Sequence, residues 1–168
     1  MTLDEINAMD EAAFIAALGG VFEHSPWVAQ GVVAARPFAS VAALHATMTD
    51  VVARAGEAQQ LALLRAHPEL AGKAAVRGEL TADSTQEQSG AGLSACSPAE
   101  FATIADLNRR YNAKFGFPFI LAVKGYDRTG ILREFARRVE HDRNEEFAEC
   151  LAQIGRITRF RLDALITE

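Results

Sequence analysis

The chain has 168 residues, the length of one domain, and its 49% hydrophobic content is that of an ordinary globular protein with a sizeable core. A formal net charge of −5 gives no basic field to gather nucleic acid, and no apolar run approaches the roughly 20 residues that a membrane-spanning helix needs. Cys96 and Cys150 have no partners at metal-ligand spacing and the N-terminus has no basic or apolar leader region, so a reduced, cytoplasmic setting is expected.

In chain order, Asp10 predicts the cap of a helix through "EAAFIAAL", closed by Gly19 and Gly20. A second helix is expected over "SPWVAQGVVAA", with Ser25 as its cap and Pro26 at the first helical position. Ser40 opens a third, in which Val41, Leu44, Met48, Val51 and Val52 recur at helical spacing up to Gly56. The fourth carries Leu61 and Leu64 and ends at His67, because Pro68 disfavours helical geometry in the residue before it. Glycines 72, 78, 90 and 92 then surround the polar "LTADSTQEQSGAGL", which predicts a long loop or a short exposed helix capped by Asp83 or Ser84. Ser97, Pro98 and Glu100 spell a cap, a first helical position and a capping-box carboxylate, opening a helix that runs to Gly116. "FPFILAVKG" reads as extended, entered through Pro118 and left at Gly125. A helix through "GILREFARRVEH" and a long final one from Asn144, as cap, to near Ile166 complete the chain. With almost no strand alternation, the expected class is all-α: a single domain over residues 1–168, a bundle of about seven to eight helices with one extended segment.

Three polar residues sit awkwardly for a plain core. His67 stands at a helix stop, where an imidazole can merely complement the macrodipole or can serve as a proton carrier. Glu87 lies among Ser84, Thr85, Gln86, Gln88 and Ser89, either a solvated surface or a cluster of donors for a polar ligand. At 100° per residue, Phe147, Cys150, Leu151, Ile154, Ile157, Leu162 and Leu165 form one stripe of the last helix. Arg161 falls near its centre, while Arg156 and Arg159 point away. An inward arginine is either a structural ion pair or a fixed cation for an anionic ligand. The histidines show no metal-binding spacing, and no nucleophile elbow, phosphate loop or dinucleotide fingerprint is present.

In this order, "FEHSPWVA", "LLRAHPELAGK", "LTADSTQEQSGAGL", "NRRYNAKFGFPFILAVKG" and "RITRFRLDAL" resemble the 2-oxo-4-hydroxy-4-carboxy-5-ureidoimidazoline decarboxylase family of uric acid degradation, from about residue 3 to 166. The resemblance implies an all-α homodimer and a reaction that needs no cofactor or metal, converting an anionic ureido-imidazoline to (S)-allantoin and carbon dioxide. It assigns catalysis to His67, Glu87 and Arg161. Substrate contacts would come from Pro68, from Ser84, Thr85, Gln86, Glu87 and Gln88, and from the backbone of Phe119, Ile120, Leu121, Ala122 and Val123. An imine beside the departing carboxylate would accept the electrons, leaving the protein to orient the substrate and deliver a proton. A non-catalytic binding module for a ureide or purine breakdown product is the alternative, and a cyclic-amide hydrolase is disfavoured by the missing nucleophile constellation and metal ligands.

Overall fold

The computed structural model describes residues 1–167. They form ten α-helices and two 3₁₀ turns: α1 (Leu3–Ala8), α2 (Glu11–Leu18), α3 (Trp27–Val32), α4 (Val41–Arg54), α5 (Glu57–Ala66), α6 (Lys73–Arg77), α7 (Ala82–Gly90), α8 (Pro98–Phe115), α9 (Arg128–Arg138) and α10 (Arg143–Leu165). The all-α class therefore stands, with more helices than the pattern suggested. The additions are short: α1, opened by a Thr2–Glu5 capping box, and α6 and α7, which divide the polar stretch after Pro68.

The chain forms two compact units, one comprising Met1–Ala66 with the chain from Ile154 onward, the other His67–Gln153. In the first, Asp10 and Ser40 accept hydrogen bonds from Ala13 N and Ala43 N, capping α2 and α4 as expected. Ser25 does not cap α3. Pro26 occupies the cap position without a side-chain bond, and Ser25 Oγ donates instead to Glu23 O, because His24 takes a left-handed φ of +46° that folds the segment back on itself. Gly31 lets α3 lie against α4: a Cβ there would stand 2.9 Å from Val51 Cγ1. Phe14, Leu18, Val28, Val32, Leu44, Met48, Leu63, Ile154 and Leu162 are buried in this unit.

In the second unit, α8 begins at the expected Ser97–Glu100 capping box and buries Ile104, Leu107, Asn108, Tyr111 and Phe115 along one face. Gly116, left-handed at φ +79°, stops the helix and turns the chain into the non-helical stretch 118–123, whose residues are all buried. Phe119 stacks on Phe135 of α9 at 3.9 Å between ring centroids, and Tyr111 meets Phe119 edge-on at 5.5 Å. Two further caps differ from expectation. Thr81, rather than Asp83 or Ser84, accepts from Ser84 N to open α7. Asp142 and Glu145 exchange the bonds that open α10, leaving Asn144 inside the helix. In each case a residue further upstream already presents the oxygen, so the helix starts earlier.

Candidate active site

His67 is the first residue beyond α5, where Pro68 was expected to stop the helix, and it is 7% exposed. Its Nε2 makes no hydrogen bond, while the residue is otherwise engaged by the protein. The loop that follows is held from three directions. Gln88 Oε1 accepts from Ala71 N at 2.9 Å and Gln88 Nε2 donates to Glu69 O at 3.3 Å. Asn108 Nδ2 donates to Leu70 O at 3.0 Å, and Asn112 Nδ2 to Glu69 Oε1 at 2.6 Å. These bonds offset the left-handed Ala71, at φ +48°, a conformation that costs a non-glycine residue about 1–2 kcal/mol. Gln88 thus appears among the expected substrate contacts but spends both ends of its amide on this loop, and Asn108 and Asn112 escaped the sequence reading altogether. They sit four residues apart on the buried side of α8, a spacing visible in the sequence, but their targets lie about forty residues away.

On α7, Ser84 and Gln88 are buried, Glu87 is half-buried, and Thr85 and Gln86 are exposed. The helix therefore carries Ser84, Glu87 and Gln88 on one side and turns Gln86 outward. Thr85 Oγ1 donates to Thr81 O. A cavity of about 290 Å³ lies on the side of α7 that includes Thr85, Gln88 and Ser89, together with Ala71, Cys96 and Phe101. Thr85 and Gln88, two of the expected substrate contacts, line it, and His67 and Glu87 do not.

The 118–123 segment is not a free run of peptide groups. Ile120 O accepts from Arg138 Nη1 at 2.6 Å, and Ala122 N donates to Gln153 Oε1 at 3.0 Å. Arg138 and Glu146 are both fully buried, joined through Arg138 Nε and Glu146 Oε1 at 2.8 Å. Tyr111 donates to the same oxygen at 2.5 Å, and His141 Nδ1 lies 3.0 Å from Glu146 Oε2. Burial, reinforced by the neighbouring Cys150 and Glu146, pushes the Tyr111 phenol far above its ordinary pKa and keeps it a donor.

In the first unit, the helical phase of α10 is as read: Arg161 is 8% exposed, Arg156 is exposed and Arg159 pairs with Asp163 at the surface. Arg161 is a member of a buried ion pair. Its Nη1 lies 2.8 Å from Glu23 Oε2 and 3.2 Å from Val21 O, and the two side chains are 6% and 2% exposed. Glu23 was missed because nothing local links it to a residue 138 positions away. Among the described residues, no group of three His, Cys, Asp or Glu side chains is arranged to hold a metal ion.

The fold is shared with a crystal structure of (S)-allantoin synthase, at a TM-score of 0.81 and 29% identity over 99% of this chain and 54% of the other. The family model described as OHCU decarboxylase matches residues 7–163, and the chain belongs to that family. It is 39% identical over 165 residues to a 2-oxo-4-hydroxy-4-carboxy-5-ureidoimidazoline decarboxylase of Halalkalicoccus jeotgali, covering 98% of this chain and 92% of that one. It is 42% identical to the uric acid degradation bifunctional protein PucL of Bacillus subtilis, where it covers 99% of itself but spans only 33% of the larger protein.

Proposed function

We propose that this chain is a decarboxylase acting on 2-oxo-4-hydroxy-4-carboxy-5-ureidoimidazoline and releasing (S)-allantoin and carbon dioxide, without cofactor or metal. The observation that carries this reading is the match to a 2-oxo-4-hydroxy-4-carboxy-5-ureidoimidazoline decarboxylase over nearly the full length of both chains. Breaking the bond to the carboxylate releases carbon dioxide and leaves an electron pair that the adjacent ring imine accepts. One proton then adds to one face of the ring. His67 delivers that proton, in a loop whose backbone Gln88 and Asn108 hold and whose Glu69 side chain Asn112 holds. Glu87 orients a substrate N–H or the imidazole, and Arg161 balances substrate charge. Pro68, Ser84, Thr85, Gln86, Gln88 and the backbone of 119–123 complete the substrate contacts in this reading. The whole chain works as one catalytic domain, as a homodimer and in the cytoplasm.

The test uses substrate generated freshly from urate by uricase and hydroxyisourate hydrolase. Circular dichroism follows the handedness of the product, with protein that has been treated with EDTA and dialysed. Accelerated formation of (S)-allantoin supports the proposal. Binding without turnover would leave the chain a ureide-binding module, and activity that returns only with added metal or pyridoxal phosphate would overturn the mechanism.

A further inference from the structure

We propose that Arg138 and Gln153 are positioning residues that fix which edge of the 118–123 segment is offered to the substrate, an inference that rests on the segment's substrate-contacting role in the function proposed above. The bonds that side chains of α9 and α10 make to the segment fall on even-numbered residues, while Val123 O accepts from Tyr126 N in the turn that follows. Ile120 O goes to Arg138 Nη1 and Ala122 N to Gln153 Oε1, while Pro118 O lies 3.9 Å from the Cys150 thiol. In an extended chain the N–H and C=O of one residue point to the same edge and those of the next residue to the opposite edge. Ile120 O, Ala122 N and Pro118 O therefore mark the edge held by α9 and α10, and the N–H and C=O groups of Phe119 and Leu121 belong to the other edge. A slip of one residue would exchange the two sets, and no neighbouring strand prevents it, since the segment belongs to no sheet.

The chemistry of the clamp fits this task better than it fits simple cohesion. A fully buried Arg138–Glu146 pair is weak evidence for stability, because an apolar pair of the same volume would serve the core as well or better. A guanidinium, however, has a rigid fork of donors. Arg138 directs Nε to Glu146, Nη1 to Ile120 O and Nη2 to Cys150 Sγ at 3.4 Å, with its Cζ over the Phe119 ring, 4.4 Å from the centroid. Glu146 is in turn fixed by Tyr111 and His141, and Gln153 by Glu149 Oε1 at 2.8 Å. Each group that touches the segment is thus oriented by a further one, as positioning to a fraction of an ångström requires.

The experiment compares the parent with Gln153→Met, which keeps the volume and removes the acceptor, and with Arg138→Lys, which keeps the charge and removes the fork. Three readouts are taken: amide hydrogen exchange at Ala122, the Kd for (S)-allantoin by calorimetry, and the kcat and KM for decarboxylation. We expect both variants to unfold cooperatively and the Ala122 amide of Gln153→Met to exchange at least about tenfold faster. Both should bind (S)-allantoin at least about tenfold more weakly, with KM raised and kcat changed less than about threefold, the pattern of lost uniform binding. A purely structural role would lower the melting temperature and leave Kd and KM at parental values in the folded protein, and that result overturns the proposal. A parent that binds (S)-allantoin without decarboxylating would sink the functional reading alone, because the weakening of Kd still reports the clamp. A parent that neither binds it nor decarboxylates would overturn both.

Discussion

Arg161 was readable in two ways, as a substrate clamp or as half of a buried ion pair, and the structure supplies the partner for the second. Arg161→Ala removes a side-chain cation paired with Glu23, whose carboxylate is 2% exposed and 2.8 Å from the guanidinium. Leaving one charge of a buried pair in place costs about 3–5 kcal/mol. For a chain of this size each kcal/mol moves the midpoint by about 2–4 °C, so Tm should fall by roughly 6–20 °C. Thermal and urea unfolding followed by far-ultraviolet circular dichroism measure this directly. The double variant Glu23→Leu/Arg161→Met should recover most of the loss, because no charge is then stranded. A single variant within about 1 kcal/mol of the parent, or a double variant no more stable than the single one, would refute the ion-pair account. The stable double variant also isolates chemistry from folding. Poor turnover by it would support substrate binding by Arg161, and normal turnover would remove Arg161 from the catalytic set.

Glu87→Gln retains the size and hydrogen-bonding capacity of the side chain, so a loss of at least tenfold in kcat, about 1.4 kcal/mol, would identify a need for the charge itself. Full activity in Glu87→Gln with loss in Glu87→Ala would limit Glu87 to orienting the substrate, and full activity in both would exclude it. His45, whose Nε2 lies 3.1 Å from Thr158 Oγ1, has a pKa lowered chiefly by burial, with Arg159 adding to the effect against the Gly155 carbonyl. Between that lowered value and the ordinary one near 6.5 the unfolded chain binds more protons, so stability rises with pH through the window and is complete above it. His45→Gln should flatten the dependence of unfolding free energy on pH just below the ordinary histidine value of about 6.5. An unchanged slope would show that His45 does not contribute to it.

What the sequence made legible was local or periodic. Asp10, Ser40 and the Ser97–Glu100 box cap the helices they were expected to cap, Pro68 ends α5, and the phase of α10 turns Arg161 inward. Cap competition was harder to read, because several oxygen-bearing residues stand side by side at Thr81 to Ser84 and at Asp142 to Asn144. Which one serves depends on where the preceding chain arrives. The short helices α1, α6 and α7 bury too few residues for a periodic signal, and only Ile6 is buried in α1. The least legible features were long-range polar pairings. Nothing near Arg161 names Glu23. Arg138 looks like one of several surface arginines in "REFARR", yet it is fully buried because Glu146, Tyr111 and Ile120 O meet it in space. Gln88 was placed at the site for its type, and its actual bonds show it holding the His67 loop.

The central claim is that His67 carries the proton, and the most direct measurement compares the parent with His67→Asn in the rate of (S)-allantoin formation from fresh substrate. Asparagine keeps a hydrogen-bonding side chain at the same place and cannot exchange a proton. With the far-ultraviolet spectrum and melting temperature unchanged, the rate above the uncatalysed background should fall by at least about 100-fold, and the product that does form should lose its handedness. A folded His67→Asn variant that still makes (S)-allantoin at close to the parental rate would contradict the account.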